Sequence, residues 1–323
     1  MIQLIDLENG MEQLSTHTFV IPEDTNCGII DTGDSLILVD SGEDQTDAKR
    51  ILSQIKENFP EKQIKSIINT HSHADHCGSN FFIKEQTGCE IWATFAESKT
   101  IEYPELLSSQ MWGGKPFRKI RSRYFEVQKT AAVSKYLEDN QTIEASTVKI
   151  QIIPLPGHSF DQIGVLVTDK TDGKKSIFLG DALYGRKILK RYWLPVMYDP
   201  ELFYKSLEFI EELQLDYFIP SHSEIFTLEN IHEICELNKI LILEAQNLIL
   251  KVLKNHPEGI TSEKIIKEAA DYAGINMDLG QLMLVSSTMR SFLTNLSDQQ
   301  LIKFQVQNNL LLWMLKQYQN RTI

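Results

Sequence analysis

Residues 70–78 read Thr-His-Ser-His-Ala-Asp-His-Cys-Gly, which places three histidines and one aspartate within six residues. The stretch follows the apolar run 66–69, so it lies where a buried strand is expected to end. Imidazole nitrogens and carboxylate oxygens are the usual ligands of zinc and similar ions. Coincidental histidines on a polar loop are the alternative, but this density with a matching carboxylate favours a metal site. The sequence therefore predicts a metalloenzyme.

The spacing of these residues predicts two metal ions. His71 and His73 are two residues apart, so an extended chain directs both rings to one side, where they can share an ion. Asp75 and His76 follow where the chain must turn into a helix, and there they can face a second ion. Two ions about 3.5–4 Å apart activate water and stabilise the reacting oxygens, which is typical of hydrolases.

Three later polar residues occupy comparable positions. Each follows a short apolar run that is interpreted as a buried strand, so each is a candidate ligand at a strand end. They are His158 in Pro154–Ser159, Asp181 in Ile177–Ala182 and His222 in Tyr217–His222. An earlier aspartate, Asp40, also ends a predicted strand.

In this order the motifs resemble those of the metallo-β-lactamase superfamily, whose HxHxDH box is matched by residues 71–76. The resemblance covers about residues 10–235 and implies an α+β fold, a four-layer αββα sandwich. It also implies which ligands bind which ion: His71, His73 and His158 the first, Asp75, His76 and His222 the second, with Asp181 as the bridge. Asp40 is then expected to orient a liganding imidazole.

The implied ligand set contains no cysteine. Antibiotic-hydrolysing members of the superfamily commonly use a cysteine and lack the bridging aspartate, so the resemblance points to the glyoxalase II-like, lactonase and phosphodiesterase branches. Two Zn²⁺ ions are expected, with Fe²⁺ or Mn²⁺ as alternatives for the same ligands. The four cysteines are scattered, and Cys77 is interpreted as a small buried side chain.

Alternating strands and helices predict a catalytic domain over residues 1–245, with a single strand over 141–153. Residues 96–138 mix aromatic and basic side chains and are interpreted as a helical insertion that covers the substrate. Residues 246–323 predict helices followed by a hairpin, which resembles a winged helix. From residue 245 onward there are eight Lys and Arg and six Asp and Glu, but the predicted recognition stretch 279–295 contains Arg290 as its single cation. DNA binding is therefore not expected, and packing or homodimer formation is favoured.

The composition is that of an ordinary globular protein, with 42% hydrophobic and 24% charged residues among 323 and a formal net charge of -12. No apolar run reaches the roughly 18–20 residues of a membrane span, and the acidic N-terminus does not resemble a signal peptide. A cytoplasmic location without membrane contact is expected. A small-molecule substrate is expected. Two groups of cations are interpreted first as solvated surface, with binding of an anionic substrate as the alternative. They are Arg118, Lys119, Arg121 and Arg123, and Arg186, Lys187, Lys190 and Arg191.

These features predict a dinuclear metal-dependent hydrolase, in which a metal-bound hydroxide attacks a thioester or a lactone. Asp75 or Asp181 is expected to transfer the proton. Tyr184 is a further candidate catalytic residue, because similar acyl-homoserine lactonases place a tyrosine near this point to polarise the carbonyl. The alternatives are a phosphodiesterase or ribonuclease, a non-haem iron oxidoreductase of the same superfamily, and a winged-helix regulator with an inactive enzyme domain. The last is disfavoured because all seven predicted ligands are present.

Overall fold

The computed structural model describes residues 5–7, 10–121 and 126–316. Its first sheet contains eight strands, which follow one another across the sheet in chain order. They are β1 (Ile5–Leu7), β2 (Met11–Ser15), β3 (Thr18–Ile21), β4 (Cys27–Asp31), β5 (Ser35–Val39), β6 (Gln63–Ile68), β7 (Glu90–Thr94) and β8 (Lys135–Leu137). Neighbours are antiparallel from β1 to β5 and parallel from β5 to β8.

The second sheet contains five strands in the order β13-β12-β11-β10-β9. They are β9 (Thr142–Glu144), β10 (Val148–Pro154), β11 (Ile163–Asp169), β12 (Lys175–Gly180) and β13 (Tyr217–Pro220). Only the β12–β13 pair of this sheet is parallel. A separate antiparallel hairpin is formed by β14 (Ile302–Gln307) and β15 (Leu310–Leu315). Both large sheets are therefore mixed.

Helices follow the strands in both halves of the chain. They are α1 (Gln45–Asn58), α2 (Ala74–Cys77), α3 (Asn80–Thr87), α4 (Phe95–Glu102), α5 (Glu105–Trp112), α6 (Arg186–Arg191), α7 (Pro200–Glu212), α8 (Ile231–Lys254), α9 (Ser262–Ala273) and α10 (Leu279–Asp298). Local sequence explains where the main ones begin. Asp44 accepts backbone N–H groups of the first turn of α1, and Asp199 does the same for α7, whose first residue is Pro200.

The two sheets pack face to face with helices on their outer sides. Their shared core contains Val39 and Ile68 from the first sheet and Ile152 and Phe178 from the second. A second cluster places α1 and α3 on the outer face of the first sheet. A third places α7 and α8 on the outer face of the second. The expected arrangement of two sheets between helical layers is confirmed.

This topology brings the ligand segments to one edge of the sandwich. β5 and β6 are parallel neighbours, so the loops that follow them leave the first sheet at the same edge. β10, β12 and β13 run in one direction in the second sheet, so their following loops also leave together. The polar residues that the sequence places after strand ends can therefore converge.

The structure corrects two predictions about the strands. The single strand over 141–153 is wrong, because residues 145–147 form a turn that makes β9 and β10 an antiparallel hairpin. This turn, Ala-Ser-Thr, contains neither glycine nor proline, so the sequence carries no turn signal there. In addition, the interval 96–138 is not purely helical: it contains β8, which pairs with β7 and extends the first sheet.

The C-terminal segment contains the predicted helices and hairpin, while its assignment as a winged helix stays a prediction. α8 is continuous across the expected boundary at residue 245. Side chains of α9 and α10, among them Ile266 and Phe292, belong to the same buried cluster as Phe203 of α7 and Leu179 of β12. Within residues 10–121 and 126–316, none of the helices has the length and apolarity needed to cross a bilayer.

We expect Gly78→Ala to lower the free energy of unfolding by at least about 2 kcal/mol, because a Cβ there would overlap rigid backbone. Such an atom would lie 1.8 Å from the Glu43 carbonyl oxygen and 2.5 Å from that of Ala74. Urea denaturation followed by circular dichroism measures the change. Gly114→Ala is the control, since its added Cβ would meet nothing closer than 3.9 Å. Equal stability of the two variants would contradict the prediction.

Candidate metal centre

The structure brings all seven predicted ligands together at one edge of the sandwich. Their donor atoms form three overlapping groups, and within each group the atoms lie within 4.8 Å of one another. The groups are His71, His73 and His158; His71, His76 and Asp181; and Asp75, His76 and His222. The first and third groups coincide with the two ion sites that the resemblance implies, and the second contains the implied bridge.

The first group is a set of three imidazoles from two sheets. His71 and His73 follow β6, whereas His158 follows β10. His158 Nε2 lies 2.8 Å from His73 Nδ1. The rings of His71 and His158 stand edge to face, with centroids 4.8 Å apart. The three ring nitrogens are therefore close enough together that these histidines could hold one ion.

The third group combines two imidazoles and a carboxylate. His222 Nε2 lies 3.2 Å from Asp75 Oδ2, and His76 Nε2 lies 3.8 Å from the same oxygen. Asp75 and His76 belong to the short helix α2, and His222 follows β13 of the other sheet. This group therefore also joins the two sheets.

Asp181 lies between the two groups. Its Oδ1 is 3.4 Å from both His76 Nε2 and His222 Nε2, and its Oδ2 is 3.5 Å from His158 Nε2. Each carboxylate oxygen thus faces a different ligand group. A carboxylate in this position has the geometry needed to bridge two ions.

Hydrogen bonds on the outer side of the rings fix their tautomers. His76 Nδ1 donates to Asp40 Oδ2 at 2.9 Å, and His222 Nδ1 donates to the Asp24 carbonyl at 2.6 Å. His158 Nδ1 lies 2.9 Å from the Val196 carbonyl. A neutral imidazole that donates through Nδ1 has an unprotonated Nε2, and a metal can bind at that nitrogen.

His71 is oriented through Thr70. The Thr70 hydroxyl donates to Asp40 Oδ2 at 2.7 Å, so its oxygen accepts the N–H of His71 Nδ1 at 3.1 Å. Asp40 Oδ1 accepts the backbone N–H of Thr70 at 2.8 Å. Asp40 therefore orients His76 directly and His71 through a threonine, as expected for a carboxylate behind metal ligands.

Burial lowers the pKa of some of the histidines, whereas neighbouring carboxylates raise the pKa of others. Burial holds the pKa of His71 well below its usual value and lowers the pKa of His158 to about 3. Burial alone would also lower the pKa of His76, but Asp75, Asp181 and Asp40 outweigh it and raise the pKa to about 10. His71 and His158 are thus neutral and ready to bind, whereas a metal at His76 would displace a proton.

The donor atoms fit a metal pair because several of them lack other partners. His71 Nε2, His76 Nε2 and Asp181 Oδ1 are buried, and none makes a hydrogen bond within the part of the chain that the structure describes. Buried polar atoms without partners are rare and costly. Imidazole and carboxylate donors without a thiolate suit Zn²⁺, Fe²⁺ or Mn²⁺. The residues present therefore fit the expected group.

The centre is open on one side. His71 and His76 are fully buried, whereas the Asp75 side chain is 39% exposed and that of His222 is 19% exposed. His73 is also partly exposed. A substrate can therefore approach past Asp75, His222 and His73.

Tyr184 and Cys77 lie beside the ligands in different ways. Tyr184 Oη lies 2.7 Å from His158 Nδ1 and 3.5 Å from Asp181 Oδ2, and the side chain is buried.

The Cys77 thiol donates to the carbonyls of Ser72 and His73. Burial raises its pKa well above the usual value, so the thiol stays protonated. Cys77 is thus the small buried side chain that the sequence indicated.

The sequence analysis missed three polar residues that support the site. Gln162 Oε1 accepts the backbone N–H of Asp181 at 3.1 Å, and Asn238 bonds to both the N–H and the carbonyl of Tyr184. Glu97 accepts hydrogen bonds from the segments that carry His71, His73 and His158. Glu97 lies three residues after the end of β7, so the strand-end rule that identified the ligands would have marked it.

The fold and the ligand cluster together define a metal-dependent hydrolase. Residues 20–222 match the family described as the metallo-beta-lactamase superfamily, and that match ends at the last ligand, His222. The chain therefore belongs to the metallo-beta-lactamase superfamily, and it is a metallohydrolase of that family.

Individual relatives are distant. The hydroxyacylglutathione hydrolase GloC of Haemophilus influenzae is 26% identical over 163 residues, which is 49% of this chain and 66% of that protein. A beta-lactamase-like protein 2 homolog of Caenorhabditis elegans is 23% identical over 76% of this chain and 70% of its own length. The match thus spans slightly less than two thirds of GloC.

A solved structure extends the likeness of fold to most of the chain. The crystal structure of a metallo-beta-lactamase family protein from Thermus thermophilus superposes with a TM-score of 0.70 at 15% identity. The superposition covers 94% of this chain and all of the other, so it extends into the C-terminal segment. At this identity the comparison concerns the fold alone.

We expect Asp181→Ala to reduce bound metal from about two ions per chain to about one or fewer, because a carboxylate that faces both ligand groups would be lost. Elemental analysis of the purified protein measures metal content, and hydrolytic activity should fall with it. Asp139→Ala, a change of an exposed aspartate between β8 and β9, should retain both ions. Full metal content with normal turnover in Asp181→Ala would contradict the bridging assignment.

Proposed function

We propose that this protein hydrolyses a carboxylic ester-type bond, with a thioester as the preferred substrate. The observation that carries the proposal is the ligand set itself: five histidines and two aspartates, without a thiolate, with Asp181 facing both groups. The four cysteines are all buried and free, and none belongs to a ligand group in the described residues. This set fits the glyoxalase II-like branch better than the antibiotic-hydrolysing one.

The site residues would have separate roles in the proposed hydrolysis. Bound ions would supply Lewis acidity and lower the pKa of water. His71, His73 and His158 would hold the first ion, and Asp75, His76 and His222 the second. Asp181 would fix the separation of the two ions by contacting both.

Asp75 is the residue best placed to transfer a proton. Its side chain is 39% exposed, twice as much as that of His222, and lies on the open side of the centre. Burial opposes its ionisation, but the neighbouring His76 and His222 outweigh burial and hold its pKa below the usual value. An ionised Asp75 carboxylate beside the open face can accept a proton from the attacking water.

The substrates of the relatives support a thioester. The Haemophilus influenzae relative is a hydroxyacylglutathione hydrolase, and hydroxyacylglutathione is a thioester of a tripeptide with two free carboxylates. Relatives that carry the same name occur in Hyphomonas neptunium and Dictyostelium discoideum. Because the matched part is short in each case, the substrate of this chain is a proposal.

The position of Tyr184 gives little support to a lactone. A tyrosine that polarises a substrate carbonyl should direct its hydroxyl toward the open side of the site. Here the hydroxyl contacts His158 and Asp181, and the side chain is buried. A role for Tyr184 in catalysis therefore remains a proposal, in which the residue acts by positioning His158.

An anionic substrate is a further part of the proposal. Arg121 is paired with Glu105 and Glu126, and Arg186 is paired with Glu233, so these two guanidinium groups are partly neutralised. Lys187, Lys190 and Arg191 are exposed on α6, close in sequence to Asp181. Arg123 lies outside the described residues. We propose that the exposed α6 cations help to attract an anion.

We propose that the C-terminal segment packs against the catalytic domain or supports a homodimer. We also propose a cytoplasmic location for the protein. The segment's cluster of α9 and α10 is continuous with the core under α7 and α8. Contact with DNA is not favoured, because α10 contains a single cation, Arg290, which lies 3.4 Å from Glu263.

The test is a panel of three substrates: a glutathione thioester, an acyl-homoserine lactone and bis-p-nitrophenyl phosphate. We expect turnover of the thioester to exceed that of the other two by at least about 100-fold in kcat/KM, which corresponds to about 2.7 kcal/mol. Elemental analysis of the same sample should give about two zinc ions per chain.

Two controls make the panel decisive. Chelator-treated protein should lose turnover and recover it on addition of Zn²⁺. The oxygen ester of the same acyl group tests whether sulfur in the leaving group matters. Preferred turnover of the phosphodiester would replace the proposal by the phosphodiesterase alternative, and iron with no hydrolysis would favour an oxidoreductase.

A further inference from the structure

A buried carboxylate outside the ligand set connects the segments that carry the three-histidine group. Glu97 lies in the first turn of α4 and is 3% exposed. Its Oε2 accepts the backbone N–H of Ser72 at 3.0 Å. Its Oε1 accepts the Ser159 hydroxyl at 2.7 Å and the backbone N–H of Asp161 at 3.0 Å. Every described hydrogen bond of this side chain goes to a ligand segment.

The partners of Glu97 are next to the ligands of one ion only. Ser72 stands between His71 and His73, and Ser159 follows His158 directly. These three histidines form the first ligand group. Among the described residues, no hydrogen bond of Glu97 reaches α2 or the segment of His222, which supply the other group. Glu97 therefore joins the two ends of a single ion site across the gap between the sheets.

Asp40 and Glu97 act on the same ligand loop at alternate positions. Asp40 accepts the N–H of Thr70, and Glu97 accepts the N–H of Ser72. In an extended chain, alternate residues share a side, so His71 and His73 are directed together when residues 70 and 72 are held. Asp40 also bonds to His76, which belongs to the other group, whereas Glu97 has no such second role.

We propose that Glu97 is a positioning residue that sets the affinity and geometry of the three-histidine ion site and leaves the Asp75, His76 and His222 site unaffected. The proposal does not depend on which bond the enzyme cleaves. It requires only that His158 reach His73 at the short distance seen between their ring nitrogens, 2.8 Å. Glu97 is the side chain that connects the segments of those two residues.

Glu97→Gln tests the proposal with little change of shape. The amide keeps one acceptor oxygen but puts an NH₂ donor in place of the other. At least one N–H or O–H of Ser72, Ser159 or Asp161 then loses its acceptor inside a buried site. Losing a partner behind metal ligands typically weakens metal binding by about 10–100-fold.

The measurement is Co²⁺ titration of metal-free full-length protein, followed by visible absorption and by competition with a chelator. We expect one of the two ions to bind at least about tenfold more weakly in Glu97→Gln, with the other unchanged. The spectrum of Asp75→Ala, which lacks the carboxylate of the second site, identifies the bands of the three-histidine site. Those bands should be the ones that shift or weaken in Glu97→Gln.

Glu102→Gln is the matched control. Glu102 lies on the same helix and also accepts a backbone N–H, but its partner is Val133, which carries no ligand. This variant should bind both ions as the unchanged protein does. Thermal unfolding of the metal-free forms shows whether either substitution disturbs the fold.

If Glu97→Gln does not fold, Ser159→Ala tests the same role of Glu97. It removes one of the three hydrogen bonds and leaves the carboxylate with its two backbone partners. A smaller loss of affinity, confined to the same ion, is expected. Unchanged binding in the folded variants, or equal weakening of both ions, would overturn the proposal.

Discussion

The contact between the two sheets decides where every ligand of the centre lies. Phe178 of the second sheet packs so closely against Gly28 of the first that an added Cβ would lie 2.4 Å from its ring. Asn26 then bonds to the carbonyls of Pro220 and Ser223, on either side of His222. Because neither sheet supplies a complete ion site alone, the hydrolytic centre exists only while the sheets are packed. Loss of the packing between the two sheets would therefore also remove the hydrolytic centre.

The polar groups around the centre have a cost that metal binding offsets. Asp40, Glu97 and Asp181 are almost completely buried, and the protein supplies N–H and O–H donors for the first two. Asp181 Oδ1 and two histidine nitrogens have no hydrogen bond in the described residues. Burying such groups without partners is unfavourable, so the free energy of metal binding contributes directly to folding stability. The site is preorganised, and its unpartnered polar atoms lie where the ions would bind.

The insertion and the C-terminal segment meet beside the catalytic unit. Leu107 and Met111 of α5 pack with Met283 of α10, which joins the two parts that the sequence analysis treated separately. α4, the first helix of the insertion, supplies Glu97 to the ligand segments. The insertion therefore supports the centre through Glu97. Through these contacts the insertion and the C-terminal segment pack directly onto the fold.

The sequence by itself determined which residues are the candidate ligands and which strands carry them. Ligand chemistry belongs to residue types, and strand ends follow from short apolar runs, so His71, His158 and Asp181 could be chosen from local patterns. Only the tertiary structure decided which donors face each other, that β8 joins the first sheet, and that Tyr184 contacts His158. It also revealed Glu97, whose partners are 25 and more residues away in the chain. Such contacts depend on how the two sheets pack, and no local pattern records that packing.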